Sequence, residues 1–552
     1  MERTWYRYWP SGVPTEIDYP RVPLMDLVKE WGIKESDRIA VNFYGKKISY
    51  GEFNRMVDSF AAFLAGIGVK KGDRVSIFME NCPQFLISIC GVWKIGAVAV
   101  PANPLFNEHE LLYELADCGA ETIVLLDHMY PVLYPVKKKT AVKNVIVTGY
   151  RDFLPIDPEL PLPPSLEVAR QFYPDTVEMS CILNRDGTPP EVQIDMGNDL
   201  ALIHYTSGTT GVPLGAMITQ SNMMANTICS ALWTNIAGGT HLAVLPLFHV
   251  TGLIHSMSAP LYAGGAIVLL AKYDTGTVMR AIEKYRCTHW VGITAMNIAV
   301  VNHPEVEKYD LTSLRACSTG GAPVPRKIRQ KFEELTGSRL IVGYGLSETI
   351  SQVSINPYNQ PREGSVGIPV INTDVKIVDL YGEGRDVAPG ELGELIVRGP
   401  QVMAGYWRQP EKTAEVLKDG WLYTGDVASM DNDGYLYILG RKKEMIMVNG
   451  YGVFPSEVED NLYQHPAIAE VAVVGRPDPA LGQSVKAYVV LKREFENRVS
   501  ERDILAWAAE RMSAFQCPRE IVFLSELPRT GSGKILRRVL ADMSPDEQKS
   551  AG

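Results

Sequence analysis

From Ser49 onward, apolar residues recur at helical spacing as Phe53, Met56, Val57, Phe60 and Leu64, and Ser49 with Glu52 makes a pattern in which each side chain caps the other's backbone amide. The pattern predicts a helix that starts at Ser49 and runs towards Val69. Short apolar runs follow at 75–79, 97–100, 122–126 and 144–147, separated by helix-length stretches. That is the rhythm of parallel strands joined by crossover helices, so the expected class is α/β. Residues 150–195, rich in Pro, Asp and Glu and weakly periodic, read as a surface excursion. After Gly364, short strands such as 374–378 and 394–397 between Gly- and Pro-rich turns predict a small β unit. A helix at 455–464, strands at 471–474 and 486–491, and a helix opened by Ser500 with Asp503 form a compact α+β tail. The character changes near Gly440-Arg441-Lys442-Lys443, which places a hinge at about 440 and divides the chain into 1–440 and 441–552.

Composition narrows the picture. At 552 residues, with 46% apolar and 21% charged side chains, the chain is long enough for a large body and a smaller satellite domain. A net charge of −10 with scattered Lys and Arg argues against nucleic acid as a partner. Eight cysteines without a CxxC pair or a Cys/His cluster at zinc spacing suggest buried thiols in a reducing compartment, hence the cytoplasm. The first residues lack the apolar core of a signal peptide, so no export is expected. From Leu200 to Ala271 there is no Asp, Glu, Lys or Arg, but Gly, Pro, His, Asn and Thr interrupt every apolar run before membrane-spanning length. That stretch reads as buried core and the floor of a site. A homodimer is left open.

The most informative chemistry lies in Tyr205-Thr-Ser-Gly-Thr-Thr-Gly-Val-Pro-Leu-Gly215. Glycines at 208, 211 and 215 permit tight turns and close approach of backbone N–H groups, and Thr206, Ser207, Thr209 and Thr210 add hydroxyls. A Ser/Gly-rich surface turn has the same composition. Context favours an anion-binding loop, because an apolar strand-like run precedes it and an apolar segment follows. It is not a Walker A loop, and Gly531-Ser-Gly-Lys534 fails the same test, since Pro528 stands at the first glycine and Ile535 follows the lysine.

The loop resembles the signature of the adenylate-forming superfamily, which holds acyl- and aryl-CoA synthetases, luciferases and peptide-synthetase adenylation domains. Further blocks match in the family's order: Pro246-Leu-Phe-His249, Gly320-Gly-Ala-Pro323, Tyr344-Gly-Leu-Ser-Glu-Thr349, Tyr423-Thr-Gly-Asp426, Gly440-Arg-Lys-Lys443 and Pro528-Arg-Thr-Gly-Ser-Gly-Lys534. The resemblance implies a large domain of two α/β subdomains and a β-barrel, with a mobile C-terminal lid. It implies ATP, magnesium and coenzyme A as reactants and cofactor, and a carboxylic acid activated as its adenylate. By position, Thr206, Ser207, Gly208, Thr209, Thr210 and Gly211 would hold phosphates. Gly320, Gly321, Ala322, Pro323, Tyr344 and Gly345 would flank adenine, with the Tyr344 ring stacking on the base. Asp426 would accept both ribose hydroxyls and Arg441 would add a second ribose contact. Glu348 would carry magnesium, Thr349 would meet the phosphate, His249 would border the acyl site, Lys443 would be the pivot of the lid, and Gly450 would face the pantetheine tunnel. Lys534 would bridge the attacking carboxylate and the α-phosphate, a cation placed where negative charge builds up.

Two departures matter. Leu214 stands where the family usually has a lysine that meets phosphate, so altered ATP or pyrophosphate handling is expected, with reverse running to make ATP as one consequence. His249 follows Phe248 where amino-acid-activating relatives place an Asp, which argues against an amino-acid substrate. The apolar segments 290–300 and 316–320, with Gly292, Ala295, Met296 and Ala299, suit a fatty, alicyclic or aromatic acid. Alternative readings are an adenylation enzyme loading a carrier protein and a nucleotide-binding homologue with impaired catalysis.

Overall fold

The structure is a computed structural model that describes residues 3–206, 212–321, 324–382, 384–529 and 535–543. Two large mixed sheets form the body. The first has eight strands in the order Gly405–Tyr406, Gly215–Thr219, Leu200–Tyr205, Val98–Ala102, Arg74–Phe78, Thr122–Leu126, Asn144–Thr148 and Val177–Glu178. Its strands run parallel from Leu200–Tyr205 onward, while the two at the other edge pair antiparallel. The four apolar runs expected as strands are thus strands, with ends within two residues, and parallel.

The second sheet has nine strands, centred on the parallel set Leu340–Leu346, Ala316–Gly320, His289–Ile293, Thr240–Ala243, Ala266–Leu269 and Ile39–Phe43. Helices cover both sheets, which is why their strands read as unbroken apolar runs.

The helix expected from Ser49 spans Tyr50–Gly66. Ser49 Oγ accepts from the Glu52 amide at 3.2 Å and Glu52 Oε2 accepts from the Ser49 amide at 2.8 Å, so two otherwise unpaired donors are satisfied. Phe53, Val57, Phe60 and Leu64 are fully buried on its inner face. Each such side chain stabilises the fold by about 1.5–3 kcal/mol. The helix packs against Pro83–Lys94, where a Cβ on Gly91 would lie 2.7 Å from the Phe60 ring, so Gly91→Ala would force the two helices apart.

Residues 150–195 are held more firmly than their composition suggests. Val177–Glu178 extends the first sheet and Met179–Leu183 packs on the helix Tyr50–Gly66. Arg170, its side chain 10% exposed, pairs with Asp127, Asp152 and Glu178. The excursion is tied down by these ion pairs and by scattered buried residues such as Leu160, Leu166 and Met179, without apolar periodicity, which is why the pattern missed it. Of the eight cysteines six are buried, Cys517 is half-buried and Cys181 is exposed. Burial pushes the Cys82 and Cys118 thiols up to about 12, so they are inert at neutral pH.

The small β unit after Gly364 is a five-stranded antiparallel sheet built from Asp374–Val378, Gly393–Arg398, Trp421–Met430, Leu417–Lys418 and Leu436–Arg441. A fourth sheet then begins at Ile446–Val448 and includes Ile468–Asp478 and Gly482–Leu491, with an apolar core of its own around Val453, Val458, Val473 and Val489. The capping box of Ser500 with Asp503 opens the helix Glu501–Ala509 as expected. Among the described residues no helix is long and apolar enough to cross a membrane.

Candidate active site

Two segments at the carboxyl ends of parallel strands carry most of the motifs, the position where open α/β sheets bind ligands. The strand Leu200–Tyr205 leads into the Gly-rich loop and the chain returns antiparallel as Gly215–Thr219, with Tyr205 opposite Gly215. Thr206 closes the base of the loop: its amide donates to Leu214 O at 2.9 Å and its Oγ1 accepts from the Leu214 amide at 3.2 Å. The shoulders are anchored by Tyr205 hydrogen-bonded to Asp117, by Tyr113 donating to Pro213 O at 2.9 Å, and by the Trp407 amide donating to Gly215 O at 2.7 Å. Ser207, Gly208, Thr209, Thr210 and Gly211 lie outside the described residues. A strand rather than a helix, Gly215–Thr219, follows the loop, so no helix dipole stands behind it.

In the second sheet, Ala316–Gly320 ends at Gly320, where a Cβ would come within 3.1 Å of Gly343 O on the neighbouring strand. Gly321 follows with φ +84° and open space where a side chain would stand. Ala322 and Pro323 lie outside the described residues. The neighbouring strand carries Tyr344 and Gly345; a Cβ on Gly345 would overlap Ser351 O at 1.4 Å, so glycine is obligatory there.

Tyr344 reaches Asp426. The two are hydrogen-bonded through the Tyr344 hydroxyl and Asp426 Oδ2, and Arg441 Nε lies 2.7 Å from Asp426 Oδ1. Asp426 and Arg441 face each other across the paired strands Trp421–Met430 and Leu436–Arg441, so sheet register sets the ion pair. The Asp426 side chain is 6% exposed and that of Arg441 35%. Burial, reinforced by the Asp426 charge, pushes the Tyr344 phenol well above its ordinary value, so it remains a donor. The guanidinium of Arg441 also donates to Thr424 O at 3.2 Å.

Glu394 was not singled out by motif. It accepts from the Gly425 amide at 3.2 Å and from Lys442 Nζ at 3.1 Å, joining the Tyr-Thr-Gly-Asp turn to the Gly440–Lys443 segment. Glu348 is held by Tyr406, whose hydroxyl donates to Oε1 at 2.8 Å, another residue the sequence did not flag. Thr349 is fully buried, and its hydroxyl bonds the backbone oxygens of Leu346 at 3.2 Å and Ser351 at 3.1 Å. Its hydroxyl shapes the turn; a phosphate contact requires exchanging one of these bonds.

His249 receives the Thr251 amide on Nδ1 at 3.3 Å, and its ring stands perpendicular to that of His204 at 5.7 Å. His204 is buried and its pKa falls to about 3, through burial first and His249 second. The preceding loop is fixed by Asn81, which donates to Leu245 O at 3.0 Å and accepts from the Leu247 amide at 2.8 Å. In the segments expected to suit the acid, Trp290 is buried and donates to Asn297, which donates to Thr319 at 3.1 Å. Ala295 is exposed, Met296 and Ala299 are half-buried, and Gly292 is buried beneath the Trp290 indole.

Lys443 is exposed on the turn Lys442–Glu444, and Gly450 tips the hairpin of Ile446–Val448 and Tyr451–Val453 with φ +84° and nothing near its Cβ position. Lys534 lies outside the described residues, which resume at Ile535, bridged to Arg529.

Residues 28–407 match the AMP-binding enzyme family and 457–534 the AMP-binding enzyme C-terminal domain. The chain is 38% identical to a long-chain-fatty-acid–CoA ligase of Bacillus subtilis (strain 168), over 98% of each chain. It is 36% identical to a long-chain-fatty-acid–CoA ligase of Escherichia coli O157:H7, again over 98% of both. Its fold superposes with a TM-score of 0.84 on the anthranilate CoA ligase AuaEII in complex with anthranoyl-AMP, at 26% identity over 96% of this chain and 98% of that one. The chain therefore belongs to the AMP-binding enzyme family, the adenylate-forming superfamily.

Proposed function

We propose that this protein is an AMP-forming acid:thiol ligase that joins a long-chain fatty acid to coenzyme A. The observation that carries the reading is the buried Asp426 carboxylate, paired with Arg441 across two strands of the five-stranded sheet and bonded to Tyr344, whose strand in the nine-stranded sheet lies beside the one that ends at Gly320. A carboxylate with two acceptor oxygens suits a vicinal diol, and two glycines at a strand end suit the close approach of a flat base. Both fit an adenosine.

In the first half-reaction a carboxylate oxygen of the acid attacks the α-phosphorus, the bond to the β-phosphate breaks, and pyrophosphate leaves. Thr206, with Ser207 to Gly211, would hold the phosphates, and Gly320 to Pro323 with Tyr344 and Gly345 the adenine. The Tyr344 hydroxyl is committed to Asp426, so its ring would border the base from a fixed angle. Asp426 and Arg441 would hold the ribose, and Lys534 would bridge carboxylate and α-phosphate. Glu348 fits magnesium in the manner of a hard cation held by one carboxylate and substrate oxygens, its own orientation set by Tyr406. Magnesium supplies charge neutralisation on the phosphates. In the second half-reaction the thiol of CoA loses its proton, sulfur attacks the acyl carbonyl, and the bond to AMP breaks.

One site then serves both reactions if the tail swings. We place the division at about 440, with 1–440 as body and 441–552 as lid and Lys443 as pivot. The strand ending at Arg441 pairs within the body's sheet, and the separate apolar core of the tail begins at Ile446, which supports that division. Gly450 would then face the pantetheine arm. His249 would border the acyl group, and the absence of an Asp after Phe248 leaves an ammonium group without a partner in this block.

The fatty-acid assignment follows the two bacterial ligases, which align over nearly their whole lengths. An aromatic acid is the second reading, favoured by the similarity to the anthranilate ligase. Buried thiols support a reducing cytoplasm. The test is AMP, pyrophosphate and thioester formation from ATP, magnesium and CoA across straight-chain, branched, alicyclic and aromatic acids, with the reverse reaction on the thioesters. Acid- and CoA-dependent AMP release with long-chain acids is expected. AMP release without thioester formation would indicate a carrier protein as acceptor, and ATP binding without turnover an impaired homologue.

A further inference from the structure

The turn bearing Glu348 and Thr349 leads into two consecutive non-glycine residues in the left-handed region, Ile350 at φ +42° and Ser351 at φ +90°. L-residues avoid this region, a β-branched isoleucine most of all, and such a backbone persists only where its surroundings over-determine it. Two side chains do so here. Asn226, 1% exposed on the helix Gln220–Trp233, donates from Nδ2 to the backbone oxygens of Thr349 and Ile350, both at 2.8 Å, and lies 3.2 Å from that of Gln352. His255 Nε2 lies 3.0 Å from Ser351 Oγ, and its Nδ1 2.7 Å from the hydroxyl of Ser230, one turn beyond Asn226 on the same helix. Burial pushes the pKa of His255 down to about 4, so the ring is neutral, and two hydroxyls satisfy either tautomer.

That helix is capped by Thr219 directly after the strand returning from the Gly-rich loop. One rigid element therefore connects the loop to the turn of Glu348. The turn is also fastened from the opposite side, by the Met403 amide on Glu348 O and by Tyr406 on Glu348 Oε1, both at 2.8 Å. Its strained end touches the nucleotide side too, because Ser351 O occupies the space left by the missing side chain of Gly345.

We propose that Asn226 and His255 are positioning residues that hold Ile350 and Ser351 left-handed and thereby set the aim of the Glu348 carboxylate towards the nucleotide phosphates. The proposal rests on the reading of Glu348 as the cation-bearing carboxylate. Without the Asn226 amide, three buried carbonyls lose their donor, the peptide planes rotate towards negative φ, and Glu348 turns away with them.

The test compares Asn226→Ala with Ser351→Ala, which removes only the hydroxyl facing His255. Binding of manganese to the enzyme with a non-hydrolysable ATP analogue is followed by electron paramagnetic resonance. Rates of adenylate formation and of thioester formation from supplied acyl-adenylate are measured separately. Asn226→Ala weakens manganese binding by about 10- to 100-fold, the usual effect of removing a residue that orients a metal ligand, and slows adenylation alongside. Ser351→Ala gives a smaller shift of roughly threefold. Thioester formation stays within about twofold of wild type, because the pyrophosphate-releasing step is already past. Unchanged manganese affinity in folded Asn226→Ala, or equal slowing of both half-reactions, overturns the proposal. Should Asn226→Ala not fold, Ser351→Ala and His255→Asn decide it by the same readouts. Glu348→Gln separates the two levels: if it binds manganese normally, the assignment of Glu348 itself falls, whereas loss there with normal Asn226→Ala overturns only the positioning.

Discussion

Replacing Asp426 by Ala separates a structural from a catalytic role by magnitude. Removing one partner from a fully buried ion pair costs about 3–5 kcal/mol. The Arg441 side chain here is 35% exposed, so water screens the orphaned charge. We expect a stability loss of about 1–2 kcal/mol. Spread over a body of roughly 440 residues, whose unfolding entropy is near 0.9 kcal/mol per degree, that lowers Tm by only about 1–2 °C. The functional loss is larger. Two hydrogen bonds from ribose hydroxyls to a carboxylate are worth about 1.5–3 kcal/mol each. Their removal is therefore expected to lower kcat/KM for ATP by at least about 100-fold. The assay pairs wild type and Asp426→Ala with ATP and with 2′- and 3′-deoxy-ATP. Wild type discriminates against the deoxynucleotides; the variant, having lost the acceptor, does not. A variant that keeps full discrimination, or whose loss of activity follows a collapse in Tm, refutes the ribose assignment.

Three further outcomes are expected. If Lys534 holds its proposed role, Lys534→Ala slows adenylation by about 10²- to 10³-fold while sparing thioester formation from preformed acyl-adenylate, since its charge would meet only the first transition state; equal loss in both steps sinks the assignment. Leu214→Lys adds a cation at the clipped base of the Gly-rich loop and tightens ATP or pyrophosphate binding by roughly tenfold, measured by calorimetry, and unchanged affinities remove the significance of Leu214. The buried histidines set acid stability: His204 at about 3 and His255 and His289 at about 4 all lie below the ordinary value when folded. The unfolded chain therefore takes up protons first. Stability is complete above about pH 6.5 and falls below it by about 1.4 kcal/mol per pH unit per histidine, down through the folded pKa values. Urea midpoints between pH 7.5 and 5 should decline less steeply in His255→Asn, and an identical decline contradicts this account.

The parts of the fold written in apolar periodicity were legible before the structure. The helix after Ser49 and the four strands that follow have one buried face or two, and the pattern records it. Segment 150–195 was not legible, because the ion pairs of Arg170 with Asp127, Asp152 and Glu178 follow no periodic spacing. The active-site motifs were readable as a resemblance, and the structure brings Tyr344, Asp426 and Arg441 into one cluster. Their supports were invisible: Glu394, Tyr406, Asn81 and Asn226 each serve a partner far along the chain, and a single polar residue in a helix or strand carries no periodic signal. The bonds of the Thr349 hydroxyl to Leu346 O and Ser351 O were likewise not legible, since a motif gives the residue type but not the turn around it.

The most direct test of the two-step, single-site account is a single-turnover experiment in two stages. Enzyme in excess over a long-chain fatty acid is mixed with ATP and magnesium without CoA, quenched, and examined for acyl-adenylate and pyrophosphate; CoA is then added to a parallel sample. The account predicts enzyme-bound acyl-adenylate with stoichiometric pyrophosphate in the first stage, and its conversion to acyl-CoA and AMP in the second. Pyrophosphate release that requires CoA, or an adenylate that CoA leaves untouched, would contradict it.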